Sequence, residues 1–93
     1  MHQTNSVPDA FQRKNLIRIC HAAGFNTDHD IAALKTAVAM IFQHLHRNHS
    51  LDPDASGDEV VRCLRRLSTG DMKRLRFVAL HDLYEQTSPL PLR

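Results

Sequence analysis

Residues Ile31–Leu45 read IAALKTAVAMIFQHL. Ile31, Leu34, Val38, Ile41, Phe42 and Leu45 recur at steps of three and four, the spacing that stacks side chains along one face of an α-helix. The other sides carry Ala32, Ala33, Ala37, Ala39 and Met40. The middle of this helix is therefore apolar or small nearly all round. Such a helix is either central to a core or shared with a second subunit. The stretch predicts an all-α domain. It also predicts a helical homodimer in which Ala33, Ala37, Met40 and Ile41 supply the contact.

The flanking sequence fits three more helices. Pro8 and Asp9 form the entry to a first helix running to Ala23. Along it Leu16, Ile19, Cys20 and Ala23 share one face, and Gly24 supplies a C-terminal stop. Thr27 or Asp28 caps the helix that contains Ile31–Leu45. Asn48–Ala55, NHSLDPDA, is predicted as a loop punctuated by Pro53. Ser56-Gly57-Asp58-Glu59 has the S-x-x-E pattern of a capping box and starts a third helix, with Val60, Cys63, Leu64 and Leu67 on one face. Ser68 or Thr69 caps a fourth helix reaching Gln86, with Met72, Leu75, Ala79 and Leu83 as its stripe and Phe77, Leu80 and Tyr84 widening it. The expected organisation is a loose tail over residues 1–7, a small four-helix domain over 8–86, and an extended tail over 87–93.

Composition supports this architecture. The 93 residues are 42% hydrophobic and 24% charged, with four Phe, one Tyr and no Trp. The core must be aliphatic, which suits packed helices better than sheets. Cys20 and Cys63 lie far apart, among apolar neighbours, and read as buried thiols in a reducing cytosol. The N-terminus shows no basic-then-apolar leader, and the longest apolar run, Ala37–Phe42, is far too short to span a bilayer. The sequence expectation is a cytoplasmic protein with no membrane partner.

Function is carried by one charge asymmetry. Arg62–Arg76, RCLRRLSTGDMKRLR, holds six basic residues and one acid on a chain whose formal net charge is +2. A concentrated positive field marks an acidic partner. Arg62, Arg65, Arg66, Lys73 and Arg74 are the candidate binding residues, for an acidic protein surface or for nucleic acid. As a DNA-reading helix-turn-helix, the segment fits poorly. Arg65 and Arg66 fall where packing residues are expected, and the polar face of the fourth helix offers only Arg74, His81 and Glu85. The bland alternative is a solvated helix face, with Arg62 pairing to Asp58 four residues earlier.

Other chemistry is sparse. Seven histidines are present, with His44, His46 and His49 the densest group. His46 and His49 have ligand spacing only if the helix continues through Asn48 and His49, and no Cys or HExxH partner is near. We therefore assign no metal site and no cofactor. No phosphate loop, nucleophile elbow or paired-carboxylate motif is present, so the chain is read as a non-enzyme.

A resemblance adds to this reading. Ile17–Val38, IRICHAAGFNTDHDIAALKTAV, resembles the small all-α biofilm and acid-resistance regulators of the YmgB/AriR type, at Ala23, Gly24, Asp30, Leu34, Ala37 and Val38. Val60, Val61 and Leu64 are similar to that family's third helix, and Asp71 and Arg76 to a later Asp and Arg at shorter spacing. The loop between helices two and three is longer here. The likeness covers about half the chain and lies in helix-packing residues. It implies a small non-enzymatic bacterial homodimer that regulates biofilm or stress signalling through protein contacts. A DNA-binding transcriptional regulator and a His-based metal-binding protein are the alternatives.

Overall fold

The computed structural model describes residues 12–28, 30–81 and 83. Their elements are α1 (Arg13–Ala22), α2 (Ile31–His49), α3 (Gly57–Arg66) and α4 (Thr69–Arg74), which runs directly into a π-helical turn (Leu75–Ala79). The protein is a small all-α domain, and no strand occurs among the described residues. The entry at Pro8 and Asp9, together with Tyr84, Gln86 and the 87–93 tail, lies outside them, but Gln12 is extended at φ −70°, ψ 158°, so α1 begins at Arg13 and does not run unbroken from that entry.

Helix α2 is the hub: α1 packs on it from one side and the π turn from another, while α3 packs on α1. Most of the apolar periodicity read from sequence gets buried; in α2 and α3 the exceptions are Ile31, 39% exposed at the first turn of α2, and the α3 face, which buries Val61 and covers Cys63 and Leu67 only in part. Leu16, Ile19, Cys20 and Ala23 of the first segment meet Leu34, Val38, Ile41, Phe42 and Leu45 of α2 and Val60, Val61 and Leu64 of α3. The largest wholly buried side chains are aliphatic, and each contributes roughly 1.5–3 kcal/mol by leaving water.

Local chemistry sets the ends. At α1, Gly24 adopts φ +79°. The amides of Phe25 and Gly24 then turn back onto the carbonyls of Cys20 (2.8 Å) and His21 (3.0 Å), and Phe25 is buried against the core. The cap of α2 is Asp30, whose carboxylate accepts from the Ala33 amide at 3.0 Å, rather than Thr27 or Asp28. Asp30 immediately precedes the first helical residue, so its side chain alone reaches the free amides. Both halves of the α3 capping box form. Ser56 Oγ accepts from the Glu59 amide (3.2 Å), and Glu59 Oε1 accepts from the Ser56 amide (2.7 Å). Ser68 Oγ accepts from the Asp71 amide at 3.0 Å and caps α4.

Two further boundaries differ from expectation. Helix α2 continues through Asn48 and His49 and stops at Ser50, in the left-handed region at φ 59°. The Asn48 side-chain amide donates to the His44 carbonyl one turn back, at 3.0 Å. The fourth helix does not hold α register. The π turn inserts one extra residue, so Leu75, Leu80 and Leu83 are buried while Met72 and Ala79 are only partly covered. Phe77 and Val78, rotated off the core, are 71% and 62% exposed. Phe77 instead lies against the His81 ring, 5.5 Å between centroids.

Candidate partner-binding surface

Helix α3 presents the arginines because its two faces have opposite chemistry. The capping box fixes its first turn, and Val60, Val61 and Leu64 turn inward. Arg62, Arg65 and Arg66 are left exposed. Gly57 permits a close approach of α3 to α1, since a Cβ there would sit 3.2 Å from Asn15 Cγ. That approach places Asp58 beside Arg18 of α1, at 2.8 Å.

The Arg18–Asp58 pair changes the reading of the arginine face. Asp58, which would pair with Arg62 if the face were merely solvated, is turned to α1 instead. Among the described residues no hydrogen bond or ion pair engages Arg62, Arg65, Arg66, Lys73 or Arg74. Arg62 and Arg66, one helical turn apart, border a cleft of about 380 Å³ whose walls include Cys63, His49, Leu51 and Asp71. Arg65 lies on the adjoining face, outside that cleft. Lys73 and Arg74, both exposed, extend the basic surface from α4. Two nearby carboxylates are held in local turns, Glu59 by the Ser56 amide and Asp52 by the Asp54 amide at 2.9 Å.

Arg76 does not belong to this surface. Its Nε donates to the Ala23 carbonyl at 2.9 Å, and its guanidinium covers Gly24. It closes the C-terminus of α1 from across the chain, where a cation and a helix C-terminal carbonyl attract. No sequence signal pointed there, because the contact spans 53 residues.

Neither cysteine is activated. Burial pushes the Cys63 thiol up, and nearby Arg66 offsets this only in part. Cys20 is pushed up to about 12 by burial, with its Sγ 3.8 Å from the Leu34 carbonyl. Both thiols therefore stay protonated at neutral pH, and a thiol is a poor nucleophile.

The histidines are placed by the longer α2. His46 Nδ1 donates to the Leu51 carbonyl at 2.8 Å, stitching the helix end to the following loop. His49 instead faces the His44 ring, 6.0 Å between centroids. The helix does satisfy the spacing condition for His46 and His49, but their rings are used elsewhere. No group of three His, Cys, Asp or Glu that could hold a metal occurs among the described residues. His44, read from sequence with its neighbours as a solvent-facing histidine near a helix end, is instead buried at 7% exposure; its spacing from Ala37 and Ile41 on the core face of α2 is the signal that could have placed it.

The expected dimer contact needs correction. Ala37 and Ile41 are wholly buried against this chain's own helices, so they have no surface to give a second copy. Ala33 and Met40 keep partial exposure. Burying α2 satisfied its apolar girth inside one chain. No helix among the described residues is long and apolar enough to cross a membrane. Comparison with known proteins adds no relative: no family model, curated protein or solved structure matches the chain.

Proposed function

We propose that this chain is a small non-enzymatic regulatory protein that docks an acidic protein partner through the exposed arginines of α3 and the start of α4. The observation that carries the proposal is the lack of any partner, among the described residues, for Arg62, Arg65, Arg66, Lys73 and Arg74, together with the diversion of Asp58 to Arg18. Unpaired guanidinium groups on a rigid helix are good anchors for carboxylates, since their planar forks bond both oxygens. The likeness of Ile17–Val38 to biofilm and stress regulators agrees with a role through protein contacts.

Geometry favours protein over DNA. α4 has six residues, about 9 Å of helix at 1.5 Å per residue, before the π turn ends its register. Its N-terminal residues Thr69, Gly70 and Asp71 also offer no cation to a base edge. The homodimer is not proposed through the Ala33–Ile41 face, because half of the named residues are internal. Fluorescence anisotropy with a labelled 20-base-pair duplex, at low and physiological salt, tests the choice. The proposal expects weak, sequence-indifferent binding that vanishes as salt rises. Tight, sequence-selective binding at physiological salt would instead establish the DNA reading.

A further inference from the structure

His44 stands out from the rest of the molecule. It is a buried polar side chain, and its Nε2 is shielded from solvent with no hydrogen-bond partner among the described residues. Its Nδ1 faces the side-chain amide nitrogen of Asn48 at 3.3 Å, and that same nitrogen donates to the His44 carbonyl at 3.0 Å. Nδ1 therefore accepts, and the ring proton rests on Nε2 without an acceptor.

The ring sits where α2 meets the C-terminal segment. His44 shares a cleft of about 270 Å³ with Met40, Gln43, Arg47, Val78 and Ala79. Val78 and Ala79 belong to the π turn, and they bring no titratable group. The charged groups acting on His44 are His49 from its own helix and Arg74 and Asp71 from α4. Two of these three oppose a positive ring. Arg47 lines the same cleft and adds a further cation.

We propose that His44 is a proton-operated latch: the neutral ring holds the Leu75–Ala79 turn against α2, and its protonation releases that turn. An imidazolium ion carries two N–H donors. The Nε2–H has no acceptor in either form, and protonation adds a second donor at Nδ1, facing the Asn48 amide nitrogen, itself a donor. Turning the Asn48 amide would meet that donor only by giving up its bond to the His44 carbonyl, so the charged ring in this shielded space is best met by water entering between α2 and the π turn. Burial, then His49 and Arg74, lower the ring's affinity for a proton in the closed form, and Asp71 opposes them. Because the closed ring resists a proton that the open ring accepts near 6.5, acidification favours the open form. The latch does not rest on the docking proposal, although Arg74 belongs to both and His49 and Asp71 line the arginine cleft, and its test does not involve a partner.

The test is amide hydrogen exchange of Leu75–Ala79 between pH 7.5 and 5.0, corrected for intrinsic rates, with α1 as the internal reference. With an open-state value of 6.5, the opening equilibrium should rise by up to about 30-fold at pH 5.0. His44→Phe should abolish the rise, because the ring volume remains and the proton site is gone. Should His44→Phe not fold, Asn48→Asp serves: a carboxylate beside Nδ1 should accept from the imidazolium and blunt the rise. Unchanged opening in the wild type, or the same pH response in whichever variant folds, overturns the latch.

Discussion

Gly24→Ala puts the joint between the two ends of the chain under direct test. Gly24 holds φ +79°, a region that costs an L-residue roughly 1–2 kcal/mol. An added Cβ would also fall 2.5 Å from Arg76 Nη2 and 2.8 Å from its Cζ, inside any real contact. The guanidinium is the end of a flexible side chain and can move, but moving it breaks the 2.9 Å bond from Arg76 Nε to the Ala23 carbonyl. A hydrogen bond from a charged group is worth roughly 1.5–3 kcal/mol, and partial exposure here reduces that to about 1. The expected loss is therefore about 2–3 kcal/mol, a fall in Tm on the order of 10–20 °C for a domain of this size. Urea unfolding followed by far-ultraviolet circular dichroism measures it. The double-mutant cycle separates the parts. In an Arg76→Ala background, Gly24→Ala should cost only the backbone share, about 1 kcal/mol less than in the wild type. A cost below about 0.5 kcal/mol, or equal costs in both backgrounds, would refute the Gly24–Arg76 joint.

The other predictions use the same assay or simple chemistry. Ser50→Gly should stabilise by about 1 kcal/mol, since Ser50 ends α2 at φ 59° and glycine adopts that region without strain. Ser56→Ala should cost about 1 kcal/mol by removing half of the α3 capping box, seen as a lower urea midpoint. Asp58→Ala should change stability by less than about 1 kcal/mol, because the Arg18–Asp58 side chains are 49% and 68% exposed. In a thiol-labelling time course at pH 8, Cys63 should react in the folded protein, whereas Cys20, buried and raised to about 12, should react only on unfolding.

Sequence carried the helices well where the signal was local. The Leu16–Ala23 face, the Ser56–Glu59 box, the Gly24 stop and the Ser68 cap all depend on residues within a turn or two of each other. The core face of α2 was equally legible from Leu34 to Leu45, whereas Ile31, read into the same stripe, stays 39% exposed. What escaped was non-local. The Arg18–Asp58 pair joins residues 40 apart, and only the approach of α1 to α3 through Gly57 brings them together. Arg76 looked like one more surface cation until its reach to Ala23 placed it in the scaffold. The π turn could not be read from periodicity, since Met72, Leu75, Ala79 and Leu83 make an equally good α stripe. The exposed cations Arg62, Arg65 and Arg66 were legible as a patch, but their freedom from Asp58 was not. Ala37 and Ile41, assigned from sequence to a dimer contact, enter this chain's own core, because sequence cannot say whose core an apolar face enters.

The claim that the α3 arginines are a docking surface is tested most directly by quantitative capture from nuclease-treated extract of the native cell. The bait is the chain itself, beside a variant carrying Arg62→Glu, Arg65→Glu and Arg66→Glu whose helical circular dichroism and urea midpoint match the wild type. All three side chains are exposed, so the variant should fold. The account predicts a protein held stoichiometrically by the wild type, released as salt rises, and absent from the charge-reversed bait. Equal recovery of that protein on both baits would contradict it.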